Sequence, residues 1–289
     1  MEISSYISIK SATELANNRT KVVTYFNTYA KHYAHEHYSP TSSSLNKYRY
    51  HIVLDMISRL ELHQNSTTLD IGCGPGHLAI ELARMGFDAQ GIDISSEMIR
   101  IAEDAAKEQN IFSVNFKVGD IESLDYPDNT FNLVTGLGIF EYLETDRPLL
   151  AEVNRVLSVG GIFVTNITNL YSYQHLFEPF YRRIKKSSSI RRILSRLKPI
   201  ISDSKSVITD MNFAPRKHSP SIFQSNLETF GFEVIEDKYI GFSLFPSPFN
   251  TLVSRLTSSV DHKLERLDGT FLRSLGACYV VFAKSTNKL

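Results

Sequence analysis

The feature that most constrains the fold is an alternation of short apolar runs with helix-length amphipathic runs between about 67 and 168. The amphipathic runs cover about 77–85, the stretch after Ser95 or Ser96, and 148–157, and Gly160 and Gly161 are expected to end the last of them. Strands that alternate with helices form parallel sheets with right-handed crossovers. The pattern therefore predicts an open, doubly wound α/β sheet. Its first five strands are expected at 67–71, 89–93, 114–118, 131–136 and 162–167.

A second part of the sheet is predicted after a long interruption. The segment from 169 to about 220 is rich in Tyr, Phe, Ser and basic residues, and it is too long for a plain connection in a compact domain. A helix over 221–230 and strands over 232–239 and 278–284 follow it, with a helical insertion over 251–267. We therefore expect seven strands in all, mostly parallel, with helical insertions that form a cap.

Charge and cysteine content exclude several classes of protein. The 31 Lys and Arg balance 31 Asp and Glu, which argues against a uniformly basic nucleic-acid coat. Cys73 and Cys278 cannot form a disulfide framework, so a reducing compartment is expected. The polar segment 1–21 lacks the apolar core of a signal peptide, and no apolar run approaches the roughly 20 residues of a membrane span. A cytoplasmic location is the prediction.

The most informative motif is the glycine-rich turn Leu69–Gly76, which follows the first strand and precedes a helix. Glycines at alternate positions let the backbone turn tightly and let a ligand approach closely. A dinucleotide fingerprint, G-x-G-x-x-G, would place a glycine where His77 stands. A nucleotide-dependent oxidoreductase is therefore the weaker interpretation.

This turn resembles the first motif of the class I S-adenosylmethionine-dependent methyltransferases, and the similarity covers about 67–168. The resemblance implies that Asp70 helps hold the ammonium group of the cofactor, that Asp93 binds its ribose hydroxyls, and that Asp120 lies beside its adenine. Each Asp could instead only cap a turn at a strand end. The cofactor-binding residues that the resemblance implies are Asp70, Gly72, Cys73, Gly74, Gly76, Asp93, Ile94, Met98, Asp120 and Ile121.

The acceptor class is predicted from the stretch Thr135–Tyr142 after the fourth strand. Relatives that methylate amines of bases or of glutamine resemble one another in an Asn/Asp-Pro-Pro-Tyr/Phe turn here, and this chain has no proline in it. The stretch, and the aromatic helix around Tyr25–Ala30, look like the small-molecule branch of ubiquinone and menaquinone methyltransferases. We expect O- or C-methylation of a small or lipid-like acceptor and no nucleic-acid partner. A cofactor-binding module without catalysis is a further alternative.

Oxygen and carbon acceptors usually need a general base. The candidates are His218, Glu141, Tyr142 and His175. The group His32, His35 and His37 lacks an acidic or cysteine partner, so no metal is predicted. Cys73 has no adjacent activating group and is expected to shape the turn.

A basic stretch over 182–198 holds eight Lys and Arg and no acidic residue. Apolar residues at helical spacing indicate two short amphipathic helices, which suggests a lid that also contacts anionic lipid or an anionic substrate. The alternative is a helical cap with solvated charges. The chain thus divides into an N-terminal helical segment over the cofactor site, a cofactor-binding core, a basic lid and a C-terminal part of the sheet. Their predicted bounds are 1–60, 61–168, 169–220 and 221–289.

Overall fold

The computed structural model describes residues 12–38, 45–173, 215–242 and 274–286. These residues build a seven-stranded sheet in the order β3-β2-β1-β4-β5-β7-β6, in which only β7 runs antiparallel to its neighbours. The strands are β1 Thr67–Ile71, β2 Asp88–Asp93, β3 Val114–Val118, β4 Phe131–Gly136, β5 Leu157–Thr168, β6 Phe232–Ile240 and β7 Cys278–Ser285. The helices are α1 Ala12–Tyr38, α2 Leu45–Ser58, α3 His77–Arg84, α4 Ser96–Glu108, α5 Arg147–Val156 and α6 Pro220–Thr229. The predicted doubly wound α/β fold is confirmed.

Both faces of the sheet are covered at its centre, which explains why β1, β4, β5 and β7 are largely buried, whereas the edge strands β3 and β6 carry exposed polar residues. In β7 the side chains of Val280 and Phe282 pack on the face covered by α2 and α3. The alternate residues Val281 and Ala283 pack on the opposite face with α5 and α6.

The boundary between α5 and β5 differs from the prediction. We expected Gly160 and Gly161 to end the helix, but α5 ends at Val156 and both glycines lie within β5. Leu157 is already extended, so the helix ends without a glycine. The register between β4 and β5 shifts close to these glycines, where Gly160 has φ +81°. Gly160 therefore supplies the positive φ of this strand irregularity, and Gly161 leaves room for the Leu157 side chain and the Ser158 carbonyl, each of which a Cβ would approach to 2.9 Å.

The topology creates a crevice where the strand order reverses. β1 pairs with β2 on one side and with β4 on the other, so the crevice opens at the carboxyl ends of these strands, where ligands bind in open α/β sheets. Helix α1 packs against α4 beside this edge.

Within the described ranges, no helix combines the length and the apolar character needed to cross a bilayer. The predicted lid 182–198, the insertion 251–267 and the candidate base His175 lie outside the described residues.

Candidate functional site

A cavity of about 480 Å³ lies at the crevice and is walled by the glycine-rich turn, by the loops after β2 and β3, and by α1. It brings together eight of the ten predicted cofactor residues with a part of α1 that contributes Arg19, Val22 and Phe26. The eight are Gly72, Cys73, Gly74, Asp93, Ile94, Met98, Asp120 and Ile121. The remaining two, Asp70 and Gly76, lie outside its lining.

The glycines of the turn all have positive φ but serve different contacts. A Cβ on Gly74 would meet no atom of the described residues within 4 Å, although this residue lines the cavity, so the space above it suits a ligand. A Cβ on Gly76 would come within 2.7 Å of the Ala102 Cβ, so this glycine allows α3 to pack. Gly74 thus leaves space for a ligand above the turn, and Gly76 allows close packing beneath it.

Asp93 joins the turn to the cavity. One carboxylate oxygen accepts a hydrogen bond from the Gly74 amide at 2.9 Å, and the other accepts one from the Ser95 amide at 2.8 Å. Burial raises the pKa of Asp93, and these amides oppose the rise. Because each carboxylate oxygen can accept more than one hydrogen bond, Asp93 can cap the loops and still receive hydroxyl groups of a ligand.

Asp70 lies beneath the turn rather than in the cavity. Its side chain is buried, with 3% of its surface exposed, and it accepts a 2.7 Å hydrogen bond from the Thr135 hydroxyl. Burial raises the pKa of Asp70 to about 7. Its carboxyl group therefore supports the turn from below.

The far end of the cavity combines an apolar slot with acidic side chains. Met98, which is 1% exposed, and Ile121 both line the cavity and give it an apolar part that suits a flat ring. Asp120 forms an ion pair with Arg19 of α1, which ties the N-terminal helix to this end. A cationic, hydroxyl-bearing nucleoside such as S-adenosylmethionine fits this cavity. The cavity offers it the space above Gly74, the nearby carboxylates and an apolar lining.

Neither Cys73 nor His77 lies in surroundings that suit a reactive side chain. Burial raises the pKa of the Cys73 thiol well above its usual range, which leaves no thiolate nucleophile. The His77 ring stacks on Tyr38 with centroids 4.2 Å apart, and burial lowers its pKa to about 4.

A second cavity, of about 330 Å³, adjoins the first and shares Tyr33, Gly138 and Tyr142 with it. The ends of β4 and β5, the start of β7 and helices α1 and α2 enclose it. Arg49 and Asn166 line it, and neither was predicted from the sequence. One signal was present, because Arg49 falls in register with the buried Val53 and Met56 on the apolar side of α2.

The candidate bases have different surroundings. Glu141 and Tyr142 line the second cavity. Burial raises the pKa of Tyr142, so its hydroxyl keeps its proton at neutral pH and acts as a donor. His218 is outside the lining of both cavities, and its Nε2 lies 3.2 Å from an Asp146 oxygen that also accepts a bond from Arg216. His218 therefore belongs to a buried network behind the site.

Over the part of the chain that the structure describes, no group of three or more His, Cys, Asp or Glu is placed to hold a metal ion.

Comparison with known proteins identifies the family. The profile of the family described as a methyltransferase domain matches residues 62–212, just over half of the chain. The uncharacterized methyltransferase YcgJ of Bacillus subtilis is 33% identical over 109 residues, which are 38% of this chain and 43% of that protein. Demethylmenaquinone methyltransferase of Anoxybacillus flavithermus is 28% identical over 158 residues, 52% of this chain and 66% of that one.

The fold has solved counterparts. The magnesium protoporphyrin IX methyltransferase of Synechocystis PCC 6803, solved with bound S-adenosylhomocysteine, superimposes with a TM-score of 0.60. The match covers 93% of this chain and 100% of that one at 13% identity. The two curated relatives match over less than two thirds of their own lengths. The chain belongs to the methyltransferase-domain family, and it is a class I S-adenosylmethionine-dependent member, as the glycine-rich turn predicted.

Proposed function

We propose that this protein transfers a methyl group from S-adenosylmethionine to a small-molecule or lipid-like acceptor that binds in the second cavity. The observation that carries the proposal is the junction of the two cavities at Tyr33, Gly138 and Tyr142. A cofactor cradled on Gly74 and an acceptor in the second cavity would meet at this junction. The name of the demethylmenaquinone relative supports a small acceptor.

The bound cofactor supplies an electrophilic methyl group on a positively charged sulfur. The chain contributes alignment and exclusion of water, since a charge disappears as the methyl group moves. Helix α1 covers the site, and its Phe26 ring packs edge-on against Tyr142 with centroids 5.1 Å apart. Phe26 lines the first cavity and Tyr142 lines both, so this aromatic pair borders the junction.

We infer O- or C-methylation, because these acceptors lose a proton and Glu141 offers a carboxylate to receive it. Glu141 Oε1 accepts a 2.7 Å hydrogen bond from the Thr168 hydroxyl, which orients the carboxylate. Contact of the basic segment 182–198 with a membrane is part of the proposal for lipid-like acceptors and rests on its sequence alone.

The test is a transfer assay with methyl-tritiated S-adenosylmethionine and a panel of phenols, enols and amines. Label should appear on an oxygen or carbon of an acceptor. Asp93→Ala should abolish the transfer, and Asp104→Ala, an exposed carboxylate on α4, should leave it unchanged. Tight binding of S-adenosylhomocysteine without transfer to any compound would instead support a non-catalytic module, and NAD-dependent reduction would support an oxidoreductase.

A further inference from the structure

Three buried polar side chains in the second cavity each carry an atom without a hydrogen-bond partner among the described residues. Arg49 is 6% exposed, Glu141 9% and Asn166 0%. The atoms are Arg49 Nε, Glu141 Oε2 and Asn166 Nδ2. Leaving a buried donor or acceptor unpaired is costly, so native proteins rarely keep such groups without a ligand or water. Three in one cavity indicate a site for a polar ligand.

Two of these side chains are held by their other atom. Asn166 Oδ1 accepts a 2.9 Å hydrogen bond from the Gly138 amide, and its Nδ2 lies near the Cys278 thiol. A thiol is a weak acceptor, so Nδ2 stays available to donate to a ligand oxygen. Glu141 Oε1 accepts the Thr168 hydroxyl, which leaves Oε2 as the available acceptor. Such fixed groups lose little freedom when a ligand binds.

Arg49 is placed beside the methyl-transfer junction. A Cβ on Gly138 would stand 3.1 Å from Arg49 Nη2, so the guanidinium lies directly against the shared wall of the two cavities. Burial disfavours its charge, yet neighbouring Cys278, Tyr38 and Glu141 hold the pKa of Arg49 above its ordinary value. The cavity therefore contains a permanent cation near the place where the acceptor atom must sit.

The hydrogen-bond donors and acceptors that remain available in the cavity match the needs of one hydroxyl group. A hydroxyl accepts two hydrogen bonds and donates one, and the cavity offers two donors, on Arg49 and Asn166, and one acceptor, on Glu141. Aromatic rings form much of the remaining wall, which favours a flat, conjugated molecule. These rings belong to Tyr25, Tyr29, Tyr33 and Tyr142, and the titratable side chains of His32, Glu36 and His37 also line the cavity.

Resting on the proposed function, we propose that the acceptor is a planar phenol or enol whose hydroxyl oxygen binds to Arg49 and Asn166 and whose proton passes to Glu141 Oε2. The O–H electron pair stays on the acceptor oxygen. That oxygen, or a carbon conjugated to it, then bonds to the methyl carbon as the C–S bond breaks and its electrons return to sulfur. Attack at carbon is followed by loss of that carbon's proton to water.

Conservation of charge favours a neutral acceptor over a carboxylate. When the proton moves to Glu141, the cavity exchanges one anion for another, and its net charge does not change. The other carboxylate of the lining, Glu36, lies 3.3 Å from His32 Nε2. A carboxylate ligand would instead place a second anion beside Glu141, where like charges repel.

The test uses 4-nitrophenol, whose absorbance reports its ionisation, and its methyl ether 4-nitroanisole, with the protein saturated with S-adenosylhomocysteine. At a pH where the free phenol is half ionised, the bound phenol should be more ionised than the free one. The ether should bind at least about tenfold more weakly, because it has no proton to give and cannot become an oxyanion. Equal binding of the two probes, or unchanged ionisation, would overturn the proposal.

Variants separate this inference from the proposed function. Arg49→Met should weaken 4-nitrophenol binding by about 10- to 100-fold and leave S-adenosylhomocysteine affinity unchanged, since Arg49 lines only the second cavity. Arg59→Met, an exposed arginine just beyond α2, is the matched control. Glu141→Gln should slow methyl transfer at least tenfold, as roughly expected for loss of a general base.

Three outcomes are decisive. Unchanged probe binding by a folded Arg49→Met overturns the inference while the proposed function stands. If Arg49→Met does not fold, the comparison of the two probes on the unaltered protein decides the matter. Failure of the unaltered protein to bind S-adenosylhomocysteine contradicts the proposed function itself.

Discussion

The substitution Gly74→Ala tests the cradle for the cofactor. Gly74 has φ +52°, where an L-residue costs about 1–2 kcal/mol, so the Tm should fall by a few degrees. In the part of the chain that the structure describes, no atom lies within 4 Å of the added Cβ, so the fold itself absorbs no clash. A cofactor resting on the turn must move away from that methyl group, and we expect its affinity to fall at least about tenfold, or ~1.4 kcal/mol.

The matched control is Gly86→Ala. Gly86 has φ +94°, and the nearest atom to its added Cβ is 3.7 Å away, so it bears a similar backbone cost without bordering either cavity. Isothermal titration with S-adenosylhomocysteine measures both variants beside the unaltered protein. Equal affinities in all three proteins would show that the cofactor does not rest on this turn.

Three further predictions follow from the charged groups. Asp93→Asn should weaken S-adenosylhomocysteine binding by about 1–3 kcal/mol in calorimetry, because one loop amide and the ribose lose a charged acceptor; full affinity would refute the assignment. Asp70 has a folded pKa of about 7, above its unfolded value, so its stabilising contribution is present below about pH 4 and is lost as the pH rises to 7. The Asp70→Asn variant should therefore have a larger free energy of unfolding than the unaltered protein at pH 8, by up to ~4 kcal/mol, and a smaller advantage at pH 5. Urea unfolding measures both proteins at both pH values. The same difference between the two proteins at pH 5 and pH 8 would contradict this. Sedimentation with anionic liposomes should fall when four basic residues of the predicted lid are replaced by Ser, and unchanged binding would eliminate the membrane contact; these residues are Arg182, Arg183, Lys185 and Lys186.

Sequence patterns predicted the sheet because its central strands are covered on both faces and are therefore rich in apolar residues. They also predicted that Asp93 and Asp120 would face one crevice, since the carboxyl ends of parallel strands share one edge, and both residues line the first cavity. The role of Asp70 in holding the cofactor stays a prediction. Its side chain is buried and accepts the Thr135 hydroxyl, and this packing is not encoded in the motif.

The second cavity was harder to predict because its polar groups come from distant segments. Arg49 lies on α2 and Asn166 on β5, and only the packing of α2 against the strand ends brings them to one cavity. Glu141 was a candidate because it follows β4 directly. The glycines of β5 misled the prediction, since a glycine pair after a helix more often ends it than serves a strand irregularity.

The most direct test of the assignment is calorimetric titration of the unaltered protein with S-adenosylhomocysteine and, separately, with NAD. We predict saturable binding of S-adenosylhomocysteine at one site per chain and no measurable heat with NAD. Binding of NAD with no binding of S-adenosylhomocysteine would contradict the account.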